Sequence, residues 1–402
     1  MPASRTINLY SPSLGTLPET QGWLAFGAVG GSRALSTSGT TLRTSISPSA
    51  IAGYSNYLSS VPRLVNPSFP SLDRSQGFVL DFNLRLISEL HQVNNRAGFS
   101  VTLLDGSSTP TGIELGFWTN SIFSQAGGSS PFTSVNERNT SINTTLASNY
   151  SLLMIDQSYY LLANNRLVLS GAVQSYSSWP KDSLLPYNPY TLPNFVFLGD
   201  NSRSAQGEAE LGATAISLLG TATLGDDLIN GSEVADRLNG LAGNDLMWGN
   251  GGHDTLIGGA GADQLNGGSG DDLLIGGSGA DTFVFASGVP FRSQDLGVDT
   301  VADFNASEDR IQLSRATFTA LPAGSTLPAT AFATVGRDAA AASSSAVLVY
   351  NATTGFSFYN PNGSDPGFAS NADAGGCFAQ LWGGGGGGSA PALNSASFVV
   401  VP

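Results

Sequence analysis

The sequence predicts a mainly β protein in three parts: a two-sheet sandwich over residues 1–219, a parallel roll over 220–285 and a β-rich region over 286–402. Three observations carry this reading. From Asp227 to Asp281 an aspartate recurs every nine residues, and two positions after each stands a large apolar side chain. Before that stretch, runs of alternating apolar and polar residues are separated by Gly, Ser, Asn and Pro clusters, the pattern of many short strands. After it the alternation resumes and ends in the apolar run Phe398–Val401.

The nonapeptides come first because they are the most specific signal. The aspartates are Asp227, Asp236, Asp245, Asp254, Asp263, Asp272 and Asp281; the apolar partners are Ile229, Leu238, Met247, Leu256, Leu265, Leu274 and Phe283. Two residues before the aspartate stands glycine (Gly225, Gly243, Gly252, Gly261, Gly270, Gly279), with Val234 in the second copy. Five before it stands another glycine from Gly231 onward. Each unit therefore reads as a glycine turn that exposes carbonyl oxygens, followed by a short strand whose one apolar residue points inward. A single unit cannot bury that face, so units must stack. With two units per coil, residues 18 apart lie above one another, which stacks Asp227 on Asp245, Asp236 on Asp254, Asp245 on Asp263, Asp254 on Asp272 and Asp263 on Asp281. Carboxylates and turn carbonyls form an all-oxygen shell that suits Ca2+ better than zinc.

In this register the stretch resembles the Gly- and Asp-rich repeat of RTX (hemolysin-type) proteins, whose calcium-binding parallel β-roll occurs in type I secreted bacterial proteins. Charge agrees: residues 221–285 hold ten acidic residues against one basic residue, Arg237, and such a chain repels itself without counterions. Several calcium ions, up to about five at one per stacked pair, would offset it. A flexible Gly/Asp linker would not need an apolar residue fixed in every ninth position. Val234 in place of a turn glycine makes the Asp236–Asp254 pair the one expected to be poor or empty.

Upstream, strands are predicted over Trp23–Ala28, Phe78–Leu86, Phe99–Leu104, Ile113–Trp118, Ser151–Ile155, Tyr159–Leu162, Leu167–Ser170 and Phe195–Leu198, with a helix near Ser47–Gly53. Asn164 and Asn165 mark a tight hairpin between Tyr159 and Ser170, since asparagine tolerates the left-handed turn. The segments Gly77–Leu86, Asn95–Val101, Gly112–Trp118, Tyr159–Ser170 and Asn194–Asp200 resemble the concanavalin A-like or laminin G-like jelly-roll sandwich. That resemblance spans about half the chain and implies a binding or adhesive module by default.

Downstream, Asp299–Phe304 and Asp309–Leu313 alternate as strands and resemble the segment after the roll in serralysin-type C-terminal domains. Asp281–Phe285 reads as the last turn of the roll. Val347–Tyr350 and Phe356–Tyr359 read as a hairpin, Phe378–Leu381 as a strand, and Gly383–Gly388 as a mobile loop; Ala339–Ser345 is of low complexity. The terminal run Ala396–Val401 looks like an RTX secretion signal.

A net charge of −14 argues against nucleic acid as a partner. No stretch reaches the length of a membrane span, and residues 1–16 lack the apolar run of a signal peptide. The RTX resemblance therefore implies a type I secretion exporter as partner, with the chain crossing unfolded and folding in extracellular calcium. The single cysteine, Cys377, excludes an intramolecular disulfide.

Of the two histidines, His253 lies inside a repeat and His91 in a predicted loop; no HExxH or G-x-S-x-G motif accompanies them. The carboxylates beside sandwich strands are Asp81, Glu89, Glu114 and Asp156, with Glu114 on the same strand face as Trp118. Tyr54, Tyr57, Tyr159, Tyr160, Tyr176, Tyr187 and Tyr190 are taken as packing residues. The expected function is a secreted, extracellular or cell-surface calcium-binding protein of structural or adhesive role. Its sandwich would bind surface glycans or a second copy of itself in a layer or filament, the latter through the edge of Phe398–Val401. The competing expectation is a polysaccharide-acting hydrolase or lyase built on the sandwich.

Overall fold

The computed structural model describes residues 5–402 apart from 28–31, 36–37, 45–51, 59–60, 130, 180–187, 201–203, 364, 366, 369–374 and 384–388. It is nearly all β and divides into two compact units, one of residues 5–164 and 168–218, the other of residues 165–167 and 219–402.

The first unit is a jelly-roll-like sandwich of two antiparallel sheets. One sheet runs in the order Arg166–Ala172, Ser158–Ala163, Ser148–Ile155, Phe78–His91, Ala205–Leu218, Thr40–Arg43 and Ser32–Leu35, with Arg5–Tyr10 also paired to Ala205–Leu218. The other runs Val135–Asn139, Ser121–Gln125, Gly112–Trp118, Ser100–Leu104, Val196–Asp200, Ala52–Ser55 and Leu24–Gly27. Period-two alternation fills the space between them: Phe78, Leu80, Phe82, Leu84 and Leu86 from one sheet meet Val101, Leu103, Ile113, Leu115 and Phe117 from the other. The hairpin at Asn164 and Asn165 has the expected left-handed turn, with φ 49° and 65°.

Several strands were not legible. The longest is Ala205–Leu218, which pairs with Phe78–His91 along its length through two bulges. The expected helix near Ser47–Gly53 lies mostly outside the described residues, and its end, Ala52 onward, is a strand. His91 ends a strand instead of lying in a loop.

The second unit is built on two parallel sheets. Leu228–Asn230, Leu246–Gly251, Gln264–Ser269, Thr282–Phe285, Arg310–Ser314 and Phe398–Val401 form one. Gly220–Thr221, Arg237–Asn239, Thr255–Ala260, Leu273–Ser278, Asp299–Phe304 and Gly376–Gly383 follow one another in the second. Within the nonapeptides the register is 18 residues throughout, for example Leu246 on Gln264 and Thr255 on Leu273. Ile229, Met247, Leu256, Leu265, Leu274 and Phe283 form the expected inner column, with Leu238 only partly buried.

Neither sheet stops at residue 285. The strands of 299–304 and 310–314 add to the roll, and Phe304, Ile311, Leu313, Phe378 and Leu381 extend its core. Residues 220–285 and 286–402 thus share two sheets and one apolar interior. The expected hairpin of Leu348–Asn351 and Phe356–Tyr359 is present, and the low-complexity Ala339–Ser345 is largely a 3-10 helix over Asp338–Ser343, with Ala341 buried. Phe398–Val401 is the last strand of its sheet: it pairs with Arg310–Ser314, buries Phe398 and Val400, and on its other side Thr326 bridges Val399 and the Ser325 carbonyl accepts the Val400 amide at 3.1 Å. No helix among the described residues is long and apolar enough to cross a membrane.

Candidate metal centre

The repeating aspartates form a ladder. The amide of each donates to Oδ1 of the aspartate one coil further on: Asp227 to Asp245 at 2.8 Å, Asp236 to Asp254 at 2.7 Å, Asp245 to Asp263 at 2.7 Å, Asp254 to Asp272 at 2.8 Å and Asp263 to Asp281 at 2.9 Å. The ladder then continues beyond the nonapeptides, from Asp272 to Asp299 at 3.2 Å and from Asp281 to Asp309 at 3.0 Å. Sequence reasoning placed Asp299 and Asp309 on strands but not in this ladder. The signal was present: Val301 and Ile311 stand two residues after them, as in every repeat.

A second ladder runs one residue earlier. Asp226 Oδ1 accepts the Asn244 amide at 2.7 Å, Asn244 Oδ1 that of Ala262 at 2.8 Å, and His253 Nδ1 that of Asp271 at 3.0 Å. His253 therefore ties one coil to the next.

With Oδ1 engaged, the remaining oxygen decides the chemistry. Oδ2 of Asp245, Asp254, Asp263 and Asp272 is buried and has no hydrogen-bond partner. A buried, unpaired carboxylate oxygen is strongly unfavourable unless a cation or proton joins it. Main-chain oxygens converge on the same points. A β-carbon at Gly240 would collide with Asp245 Oδ2 and stand 2.6 Å from the Gly258 carbonyl; one at Gly258 would collide with Asp263 Oδ2 and stand 2.7 Å from the Gly276 carbonyl. At Gly249 it would collide with both Asp254 Oδ2 and the Gly267 carbonyl. These glycines leave small cradles of carboxylate and carbonyl oxygen, the donor set of a hard cation such as calcium. Among the described residues no three His, Cys, Asp or Glu side chains converge as ligands, so the cradle depends on main-chain oxygen.

The turn glycines Gly243, Gly252, Gly261, Gly270 and Gly279 have φ of 125°, 117°, 141°, 126° and 133°, which a side chain would resist. Gly225 and Val234, at the same position in the first two copies, are not in that region. Those two turns also bond differently. Asp227 Oδ2 accepts from Thr223 N and Oγ1, both at 2.8 Å, and Asp236 Oδ2 accepts from Ser232 N at 2.6 Å and Oγ at 2.7 Å.

Burial makes the ionised carboxylates unfavourable, and neighbouring aspartates add to it. Asp254 and Asp281 are pushed up to about 7, Asp263 and Asp272 to about 6, and Asp245 is raised. Asp303 closes the far end, accepting the amides of Gly276 and Gly277 at 2.9 Å each, and burial pushes it up to about 6.

The sandwich carboxylates are not brought together in this way. Glu114 is buried and accepts from Tyr190 Oη at 2.7 Å and Thr102 Oγ1 at 3.0 Å, so it is not on a surface with Trp118. Trp118 is itself buried: the His91 ring stacks on it at 4.0 Å, the Arg138 guanidinium lies 4.2 Å from its ring centre, and Nε1 donates to the Arg96 carbonyl. Asp81 accepts from Ser151, Glu89 pairs with His91 at 2.9 Å, and Asp156 is a turn residue at φ 47°. Tyr54, Tyr57, Tyr159, Tyr160, Tyr176 and Tyr190 are all buried, while Tyr187 lies outside the described residues. The Cys377 thiol is pushed up to about 12 by burial.

Residues 221–256 and 248–283 match the RTX calcium-binding nonapeptide repeat (4 copies). No curated protein matches the sequence. Solved structures similar to this chain include a carbohydrate esterase, vb_24B_21, from the Shiga toxin-encoding bacteriophage phi24B, at 10% identity over 53% of this chain and 99% of that one, with TM-score 0.37. Alginate lyase A1-II', a member of polysaccharide lyase family-7, is similar at 12% identity over 53% and 94%, with TM-score 0.30. A Bacillus licheniformis β-glucanase is similar at 8% identity over 53% and 97%, with TM-score 0.28.

Proposed function

We propose that this chain is an extracellular structural or adhesive protein whose roll is locked by calcium after export through a type I exporter. The observation that carries the reading is the row of buried, partnerless Oδ2 atoms on Asp245, Asp254, Asp263 and Asp272. Bound calcium supplies the positive charge these oxygens lack. The chain's own part is to hold them: the Asp-to-Asp amide ladder fixes each carboxylate by Oδ1, the glycines open the cradle, and the inner column from Ile229 to Phe283 holds the coils in register. Without the ion, ten acidic residues over 221–285 repel one another and favour an open chain, which suits passage through an exporter. The sandwich is the adhesive part in this reading, and surface glycans are its ligand class.

A polysaccharide-cleaving site centred on Glu114 is not favoured, because Tyr190 and Thr102 cover that carboxylate inside the unit. Assembly through the edge of Phe398–Val401 is the second reading, with the bridge between Thr326 and Val399 occupying part of that edge. The test is far-ultraviolet circular dichroism with hydrogen exchange of metal-free protein titrated with calcium, followed by a glycan array. Protection of residues 240–285 that appears only with calcium supports the reading. A roll equally protected without calcium would overturn it.

A further inference from the structure

We infer that the calcium column begins at Asp245, and that the first two repeats form a coil closed by hydrogen bonds in place of metal. The inference rests on the calcium reading above and adds to it which turns take the ion. All seven aspartates occupy the same sequence position, so the repeat by itself assigns them one role. The turns divide them by what meets Oδ2.

In the first two copies the residue four before the aspartate is a hydroxyl residue, Thr223 or Ser232. Its amide and hydroxyl both donate to Oδ2, giving each of those carboxylates two short bonds within its own turn. Neither residue has a positive φ. From the third copy onward the same position turns over to the left-handed region: Leu241 at φ 71°, Asn250 at 73°, Gly259 at 109° and Gly268 at 100°. That turn carries the amide away from the carboxylate, and Oδ2 of Asp245, Asp254, Asp263 and Asp272 is left buried without a donor. Leucine in this region is unfavourable, so its presence at 241 marks a turn the fold imposes.

The space around the glycine five before the aspartate follows the same division. In the first copy Ala222 already supplies a β-carbon there. At Gly231 a β-carbon would stand 2.5 Å from the Gly249 carbonyl, as in the later copies, but 2.9 Å from Asp236 Oδ2, whereas at Gly240 and Gly249 it would stand closer still to the matching carboxylate oxygen. The Gly249 carbonyl is thus in place, and what differs is the carboxylate oxygen: Asp236 Oδ2 is drawn off toward Ser232 and its lone pairs are taken by that turn. Val234 alone does not explain this, because the Gly225 turn closes in the same way. The far end repeats the device: Asp309 Oδ2 accepts the amide of Asn305, again four residues before it, at 2.8 Å. The row of the ladder that runs from Asp227 to Asp309 is thus closed at both ends by its own chain, and turns with an unpartnered Oδ2 lie between.

The test counts calcium ions on the full chain by native mass spectrometry, using the protein and three variants. Asp236→Asn keeps an acceptor for the Ser232 amide and hydroxyl and is expected to leave the count unchanged. Asp254→Asn is expected to lower it by one. Ser232→Gly combined with Val234→Gly gives the second repeat the turn residues of the fifth and later copies and is expected to raise it by one. A count lowered by one in Asp236→Asn overturns this inference while leaving the calcium reading intact, and it does so even if the double variant fails to fold. A parent protein that binds no calcium overturns both.

Discussion

Asp254 and Asp272 are joined by a 2.8 Å hydrogen bond from the amide of one to Oδ1 of the other, 18 residues along the chain and one coil away. This bond engages Oδ1 of Asp272, as the Asp236 amide engages Oδ1 of Asp254, and leaves Oδ2 of each in a turn where it has no protein donor. Stacking and metal affinity therefore come from the same side chain. Asparagine could keep the first role, through its carbonyl oxygen, but not the charge needed for the second.

Asp263→Asn separates those roles. The ladder bond from Asp245 survives, while the cradle made with Gly276 loses its charge. Changes even to groups behind a metal ligand weaken binding about 10- to 100-fold, so a change in the ligand itself is expected to weaken calcium binding at that turn by at least about 10-fold. Isothermal titration calorimetry with calcium would read this. An unchanged isotherm would remove Asp263 from the site.

The pH dependence has opposite signs with and without calcium. Asp254 and Asp281 rise to about 7 and Asp263 and Asp272 to about 6 in the folded protein, above the about 3.9 of an exposed aspartate. A group whose pKa is raised by folding contributes stability below its unfolded value, and that contribution is lost as pH rises through the folded value. Metal-free protein should therefore have its most stable roll near pH 4 and lose stability up to about pH 7. Calcium-loaded protein should lose its ions as pH falls through the same window, because protons compete for the same oxygens. Thermal melts of dialysed and calcium-loaded protein across this range would show the crossing; parallel curves would contradict it.

Much of this site was legible because the repeat places glycine, aspartate and the apolar residue in one strict register. The continuation to Asp299 and Asp309 was hidden by insertions: the ladder steps there are 27 and 28 residues in place of 18. The difference between the closed and open turns was hidden because Thr223, Ser232, Leu241 and Asn250 occupy a position that looks variable in sequence. In the sandwich, Phe78–His91 was legible from its alternation, whereas its partner Ala205–Leu218 is too rich in alanine and glycine to announce a buried strand. The burial of Glu114 depends on Tyr190, 76 residues away, and no local pattern reports such a contact.

Glycine substitutions test the cradle by volume. Gly258→Ala places a methyl group against Asp263 Oδ2 and the Gly276 carbonyl, so calcium binding at that turn should be lost and the loaded protein should melt earlier. Gly225→Ala meets nothing closer than Thr223 Oγ1 at 3.9 Å and is expected to stay within about 0.5 kcal/mol of the parent. Calcium titration and melting of the two variants give the contrast. Equal effects would show that the loss came from glycine's backbone freedom and not from the filled space.

Glu114 tests the role of the sandwich. Its carboxylate is buried, and Tyr190 Oη and Thr102 Oγ1 donate to the same oxygen. A carboxylate placed for catalysis needs access to solvent and a second carboxyl group across a cleft; this one instead joins two hydroxyl donors inside the unit. Glu114→Gln keeps the shape but replaces charged acceptance with neutral acceptance, and truncation to alanine leaves Tyr190 and Thr102 without it. The expected loss of sandwich stability is about 1–3 kcal/mol for Glu114→Ala and smaller for Glu114→Gln. Since the roll has its own apolar core, the calcium count should not change in either variant. Chemical denaturation followed by tryptophan fluorescence, with Trp118 as the reporter on the same strand, would measure the first effect and native mass spectrometry the second. A fully stable Glu114→Gln protein that lost a polysaccharide-cleaving activity present in the parent would reverse this assignment and make the buried carboxylate part of a reactive site.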